Sequence, residues 1–214
     1  MLASAAMATS APTPNRGARR RARTRALLLD AARELFAAQG VDATRVGDIS
    51  ERADVGAGSF YNHFADKDAI VEAVLSEAAE ANGQHVDELT GGLDDPAEVM
   101  AVAHRHFVRL AQADPTFALL VVRLDLSHRL LSATLGPRAT KDLEAGVAAG
   151  RFDVPDVGVA LHAMGGALLG VMRGVIDGAV GPDADVLHAE GVLRSLGVPK
   201  AQAARIARRP MPER

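Results

Sequence analysis

The residues best placed to do chemistry lie in the run GAGSFYNHFADK, from Gly56 to Lys67. Phe60 and Phe64 stand four apart, so on a helix they share a face and anchor it to a core. The opposite face carries Ala57, Ser59, Asn62 and His63, with Tyr61 to one side. These side chains are small or hydrogen-bonding, and none is acidic. A carboxylate there would be repelled by phosphates, so the surface suits contact with duplex DNA. Ser59 and Asn62 can reach base edges, while Tyr61, His63 and Lys67 can donate to phosphates. Taken singly, Tyr61 reads equally well as a packed core residue and Lys67 as a solvated first-turn lysine. No glycine-rich phosphate loop, nucleophile elbow or HExxH pattern competes with this reading, and no cofactor is expected.

A face of this kind works only if short helices hold it. The pattern Leu28, Ala32, Leu35 and Phe36 predicts a helix over about Thr24–Gln39, ended by Gly40 as a left-handed cap. Thr44 is expected to cap a second short helix with an apolar stripe of Val46, Ile49 and Ala53. Asp54-Val55-Gly56 makes a tight connection into a third helix, about Ala57–His63. Asp66 caps a fourth, carrying Ile70, Val71, Val74 and Leu75. Three short helices with a four-residue turn before the third describe a helix-turn-helix.

The ordered set Gly40, Thr44, Ile49, Val55, Gly58, Tyr61, Phe64 and Lys67 resembles the DNA-binding domain of the tetracycline-repressor (TetR) family, over about Thr24–Leu75. The resemblance implies that Thr44, at a helix N-terminus, binds phosphate, and its neighbour Arg45 is a further DNA-binding candidate. It implies that Tyr61 and His63 touch the DNA backbone and that Lys67 holds a phosphate. Gly56 and Ala57 begin the recognition helix. Three positions depart from the usual pattern. Asp54 stands where glycine is common, Gly56 where a capping serine or threonine is common, and Ala57 where a larger or basic residue is frequent. These departures bear on sequence preference more than on DNA binding itself.

Beyond Lys67 the pattern predicts helices at Pro96–Ala113, Thr116–Ala133, Thr140–Ala149, Asp156–Asp177 and Asp183–Leu196, with a short one near Ala201–Ala207. Glycine and proline clusters break them. Gly166, Gly170, Gly174 and Gly178 recur every four residues, so one helix face would admit a close neighbour. The run Val157–Met172 has only His162 as a polar side chain. It falls short of the ~20 apolar residues a spanning helix needs, and Arg173 and Asp177 follow at once. A homodimer-interface helix is therefore the preferred reading, with no membrane contact, and an ordinary core helix is the alternative. By resemblance, Asp183–Leu196 completes an intersubunit four-helix bundle.

From about Lys67 onward the resemblance implies a helical ligand-binding and dimerisation domain, and polar groups on otherwise apolar helices are candidates for its small-molecule effector pocket. The candidates are His104, Arg123, His128 and His162, with walls from Phe107, Phe117, Leu120 and Met164. His104-x-His106 and Asp125-x-x-His128 hint at metal, but an i,i+2 spacing points imidazoles apart on a helix, so no metal is expected.

The 214 residues are 48% hydrophobic, which allows a substantial core, and they include no cysteine. The absence of cysteine fits a reducing, cytoplasmic setting. The net charge of -3 is unevenly spread: ten Lys/Arg face seven Asp/Glu through Lys67, and 14 face 20 thereafter. Six arginines crowd into Arg16–Arg25, either a solvated tail or an arm that follows phosphates or enters the minor groove. The resulting expectation is an all-α chain: a disordered basic arm (1–23), a helix-turn-helix domain (24–70), a helical ligand-sensing and dimerisation domain (71–208) and a tail (209–214). Its function would be that of a ligand-released repressor binding double-stranded operator DNA. The competing class is a helical metal-binding or enzymatic bundle that retains a three-helix head.

Overall fold

The computed structural model describes residues 16–114, 118, 121–122 and 131–213. Every regular element among them is helical. The helices are α1 (Arg16–Ala43), α2 (Val46–Arg52), α3 (Ala57–Tyr61), α4 (Lys67–Thr90), α5 (Pro96–Ala113), α6 (Gly136–Ala148), α7 (Val157–Ile176), α8 (Ala184–Ser195) and α9 (Lys200–Ala207). A π-helical turn, Leu131–Leu135, leads into α6.

Local chemistry explains the starts. Asp66, Asp95 and Asp156 each turn a carboxylate onto a free backbone N–H of the helix they precede. Pro96 opens α5 with the φ the first turn needs and no N–H to leave unpaired.

The front of the chain corrects two expectations. The first helix begins at Arg16, not near Thr24, so residues 16–23 are helical rather than a disordered arm. Arginine and alanine are good helix formers, and Leu28, Leu29 and Ala32 pin the next turns to the core. Gly40 does not take the left-handed helical cap. At φ 80 and ψ 163 it sits in a region open almost only to glycine and kinks the helix before Val41.

Helices α1 to α4 share one core, in which Leu28, Phe36, Ile49, Phe60 and Ile70 are fully buried. A second core joins α5, α6, α7, α8 and α9 around Leu143, Met164 and Leu193. A third sits between α5 and α7 at Val108, Leu168 and Met172. Helix α4 belongs to the first core yet also packs on α5, so it is continuous between the head and the body.

Candidate functional site

The head presents α3 as the sequence pattern requires. Phe60 is wholly buried and Phe64 nearly so, with ring centroids 5.6 Å apart. Gly58, Tyr61 and Asn62 are exposed, and Ser59 and His63 are half-buried. The Ala57 side chain lies outside the described residues. Tyr61 is 63% exposed, so it is not a core tyrosine. Gly56 is the N-cap, in extended geometry. Asp54 has φ 52, the left-handed region where glycine is easiest and aspartate is among the better substitutes. Its departure from the family pattern therefore leaves the turn intact.

Two expected phosphate ligands have other partners. Thr44 is buried at 1% exposure; its hydroxyl donates to the Gly40 carbonyl at 2.7 Å and accepts from Gln39. Thr44 is not the cap of α2. Arg45 holds that position, and the Asp48 carboxylate accepts the Arg45 N–H at 2.9 Å. The kink at Gly40 frees a carbonyl, and the threonine hydroxyl satisfies it instead of reaching outward. Lys67 donates from Nζ to the carbonyls of Val41 at 3.0 Å and Thr44 at 3.3 Å. It ties the start of α4 to the α1–α2 connection.

Lys67→Ala is accordingly expected to lower stability by about 1–3 kcal/mol by removing the hydrogen bonds to the Val41 and Thr44 carbonyls, of which Val41 keeps the Thr44 N–H at 3.2 Å. The salt slope of DNA binding should change by much less than the ~0.9 that one neutralised phosphate contributes. Thermal melting and a salt titration of operator binding measure the two; a full unit of lost slope with unchanged stability would return Lys67 to the phosphate role.

The N-terminal turns of α1 reach the recognition helix. Arg21 donates to the Asn62 carbonyl at the end of α3, at 3.2 Å. Arg25 lies over the Phe64 ring and pairs with Glu77. Partial burial, then Arg21 and Arg25, push the His63 imidazole below its ordinary value.

The body holds a cavity of about 680 Å³ between α4, α5, α6 and α7. Of the expected wall residues, His104, Phe107, His162 and Met164 line it. Phe117, Leu120, Arg123 and His128 lie outside the described residues, as does Asp125. Most of the wall is apolar. One corner is charged, with Asp87 from α4 and Arg138, Lys141, Asp142 and Glu144 from α6. Arg138 donates to Asp87 at 2.9 Å and to the Glu80 carboxylate through two hydrogen bonds, at 2.7 and 3.0 Å. Burial, with Asp87 nearby, raises Asp142 above the usual carboxylate range. Sequence reasoning missed this corner, because its members read as ordinary surface charges on amphipathic helices.

The paired histidines separate. His104 Nδ1 meets Nε2 of His188 on α8 at 2.9 Å, whereas His106 meets Asn82 at 2.9 Å and lies tilted against the His85 ring, centroids 5.0 Å apart. The two rings serve different helices, so the His-x-His spacing does not build a joint metal site.

The glycine face is also partly explained within the chain. A side chain at Gly174 would meet Val180 at 2.9 Å, so that glycine makes room for its own chain. Gly178, at φ 66, lies just past the helix and ends it. Gly166 and Gly170 remain exposed with open space beside them. Val159 and Leu187, 70% and 60% exposed, extend an apolar surface over α7 and α8. By length and composition alone, α7 would also suffice to cross a membrane.

Comparison with known proteins matches this architecture at both ends. Residues 28–74 match the model of bacterial regulatory proteins of the tetR family, and residues 95–209 match the tetracyclin repressor-like C-terminal domain. The HTH-type transcriptional repressor KstR2 of Rhodococcus jostii is 37% identical over 76 residues, 35% of this chain and 37% of that protein. Its counterpart in Mycolicibacterium smegmatis is 35% identical over 103 residues, 44% of this chain and 48% of that protein. These alignments thus span less than half of those relatives' length. The crystal structure of RolR in complex with resorcinol superposes with a TM-score of 0.82 and 38% identity, covering 92% of this chain and 98% of that one. The chain belongs to the tetracycline-repressor family: it is a DNA-binding transcriptional regulator and not an enzyme.

Proposed function

We propose that this chain is a homodimeric, cytoplasmic repressor that releases operator DNA when a small, uncharged hydroxylated aromatic compound fills the cavity between α4, α5, α6 and α7. The observation that carries this reading is the cavity itself, an apolar chamber with one charged corner. It is supported by the likeness to RolR, whose structure holds resorcinol.

The corner argues for the class of ligand. Asp87, Asp142 and Glu144 would accept hydrogen bonds from hydroxyls, and these three carboxylates outnumber the cations Arg138 and Lys141, which disfavours an aromatic carboxylate. Arg138 is already engaged by Glu80 and Asp87, so it has little to offer a second anion. His104, with Nδ1 turned to His188, presents the rest of its ring to the chamber.

A second copy of the chain covers the apolar surface of α7 and α8 in this reading, with Gly166 and Gly170 permitting close backbone approach. The two α3 helices of the dimer enter successive major grooves, ~34–36 Å apart or a multiple of that. Ser59 and Asn62 read bases, and Tyr61, His63 and Arg45 contact the backbone. The effector favours a dimer whose heads no longer match that spacing.

Recovery of genomic fragments bound by the purified protein supplies the operator. Anisotropy of that labelled operator then tests release. A neutral dihydroxybenzene should weaken operator affinity by about 5–150-fold, the usual range of such coupling, and benzoate should leave it unchanged. Binding of the dihydroxybenzene with no change in operator affinity would reject the regulatory step.

A further inference from the structure

The arginines of the first three turns of α1 divide into two sets. Arg21 and Arg25 turn toward the protein, onto Asn62 and onto Phe64 and Glu77. Arg16, Arg19, Arg20 and Arg23 fall at i, i+3, i+4 and i+7, which is one stripe of a helix. All four are exposed. No acid stands in the first turn of α1.

Such a stripe is a poor choice for stability. Cations at a helix N-terminus oppose the helix dipole, and four of them repel one another. No carboxylate among the described residues pairs with them. The stripe is also fixed in place: Arg21 ties this segment to the Asn62 carbonyl at the end of the recognition helix. It therefore has a defined position relative to the duplex that α3 reads. A rigid helix cannot thread a minor groove as an extended arm does, but it can lay guanidinium groups along a phosphate row.

We infer that Arg16, Arg19, Arg20 and Arg23 form a second DNA-contacting surface, which grips the phosphate backbone flanking the sequence read by α3. Arg21 acts as the positioning residue that sets the angle of this surface. The stripe lengthens the footprint without reading bases, so it adds affinity to all sequences alike. This inference rests on the chain binding DNA through α3.

The test uses the full chain, its recovered operator, and a salt titration of affinity. Replacing the four arginines with glutamine keeps the helix-forming character. Each phosphate left without its arginine lowers the slope of log K against log salt by ~0.9. The quadruple variant should lose at least about 2 units of slope per dimer and about tenfold or more in low-salt affinity. The corresponding quadruple lysine variant should keep most of the slope. Thermal stability of the glutamine variant should be unchanged or higher, which a structural role would not produce. Shortening the operator's flanks should weaken the wild type and not the glutamine variant. An unchanged slope in the glutamine variant overturns the inference while operator binding by the wild type stands. A wild type that ignores every fragment would instead overturn the reading of α3.

Discussion

Replacing Asp185 with alanine is expected to destabilise the protein by about 3–5 kcal/mol, the usual cost of leaving a buried partner charge uncompensated. Asp185 opens α8 and is nearly inaccessible, as is Arg105 on α5. The Arg105 Nε donates to Asp185 Oδ2 at 3.0 Å, and Arg109 Nε reaches the same oxygen at 2.7 Å. Burial alone would raise the Asp185 pKa, but the hydrogen bonds from Arg109 and Arg105 outweigh it and hold the carboxyl below its ordinary value. Arg109 is half exposed, so its share is screened and small. In the variant, Arg105 is left with the Arg209 carbonyl and no longer faces a carboxylate on α8. For a chain of this length the destabilisation corresponds to about 6–20 °C in Tm, read by thermal denaturation. The double replacement Arg105→Met/Asp185→Leu should recover most of it, since both charges then leave the core. If Asp185→Ala melts with the wild type, the pair does not hold α8 on α5. The effect reaches the cavity wall, because α5 lines the cavity and α8 packs on α5.

The helices were legible where one residue both caps and begins a period. Asp66 and Asp156 each cap and precede an apolar repeat, and α4 and α7 start one residue after them. The inward Phe60 and Phe64 follow from their four-residue spacing, although Phe64 lies just past the five-residue α3. The outward Tyr61 does not follow from spacing, since a tyrosine there reads equally well as core. Arg16–Arg23 was not legible as helix, since the six arginines of Arg16–Arg25 look the same in a tail and on a solvated helix. What decides between them is the docking of Arg21 and Arg25 on α3 and α4, which no local pattern encodes.

The cavity shows the same limit more sharply. His104, Phe107, His162 and Met164 could be picked out because they interrupt or line apolar helices. The charged corner could not, since Arg138 meets Asp87 and Glu80 from 51 and 58 residues away. Those side chains alternate with solvent-facing neighbours and carry no periodic signature of their own. The buried partners of α8 are equally remote, with His104 and His188 separated by 84 positions. Conversely, the four-residue glycine period joins glycines with different roles inside the chain, since Gly174 makes room for Val180 and Gly178 lies past the helix end. Periodicity reports which face a residue occupies and says nothing of what lies opposite.

The remoteness of that histidine pair makes acid the sharpest probe of the body. Burial, with His188 beside it, pushes His104 down to about 3, and burial pushes His188 down to about 4, from an ordinary 6.5. Both rings are therefore neutral in the folded protein at pH 7, one donating and the other accepting across 2.9 Å. The unfolded chain takes up protons near pH 6.5 and the folded chain does not. Stability is thus fully present above about pH 6.5 and is lost as the pH falls from there toward 4. For the pair the loss by pH 4 is of the order of 3–6 kcal/mol, at ~1.4 kcal/mol per pKa unit. His106, pushed down to about 4 by burial and His85, adds to it in the same direction. Asp185 does not offset this loss, because its depressed pKa keeps it ionised across the window. Replacing both His104 and His188 with leucine removes the two titrating groups together and leaves no orphaned partner. Tm measured from neutral pH down to about pH 4 should fall steeply in the wild type and more gently in the double variant. The residual slope belongs to His106 and the carboxylates. Parallel curves for the two proteins would mean that the imidazole pair carries no share of the acid sensitivity. Helix α8 would then be held on α5 by the Arg105–Asp185 ion pair and apolar packing alone.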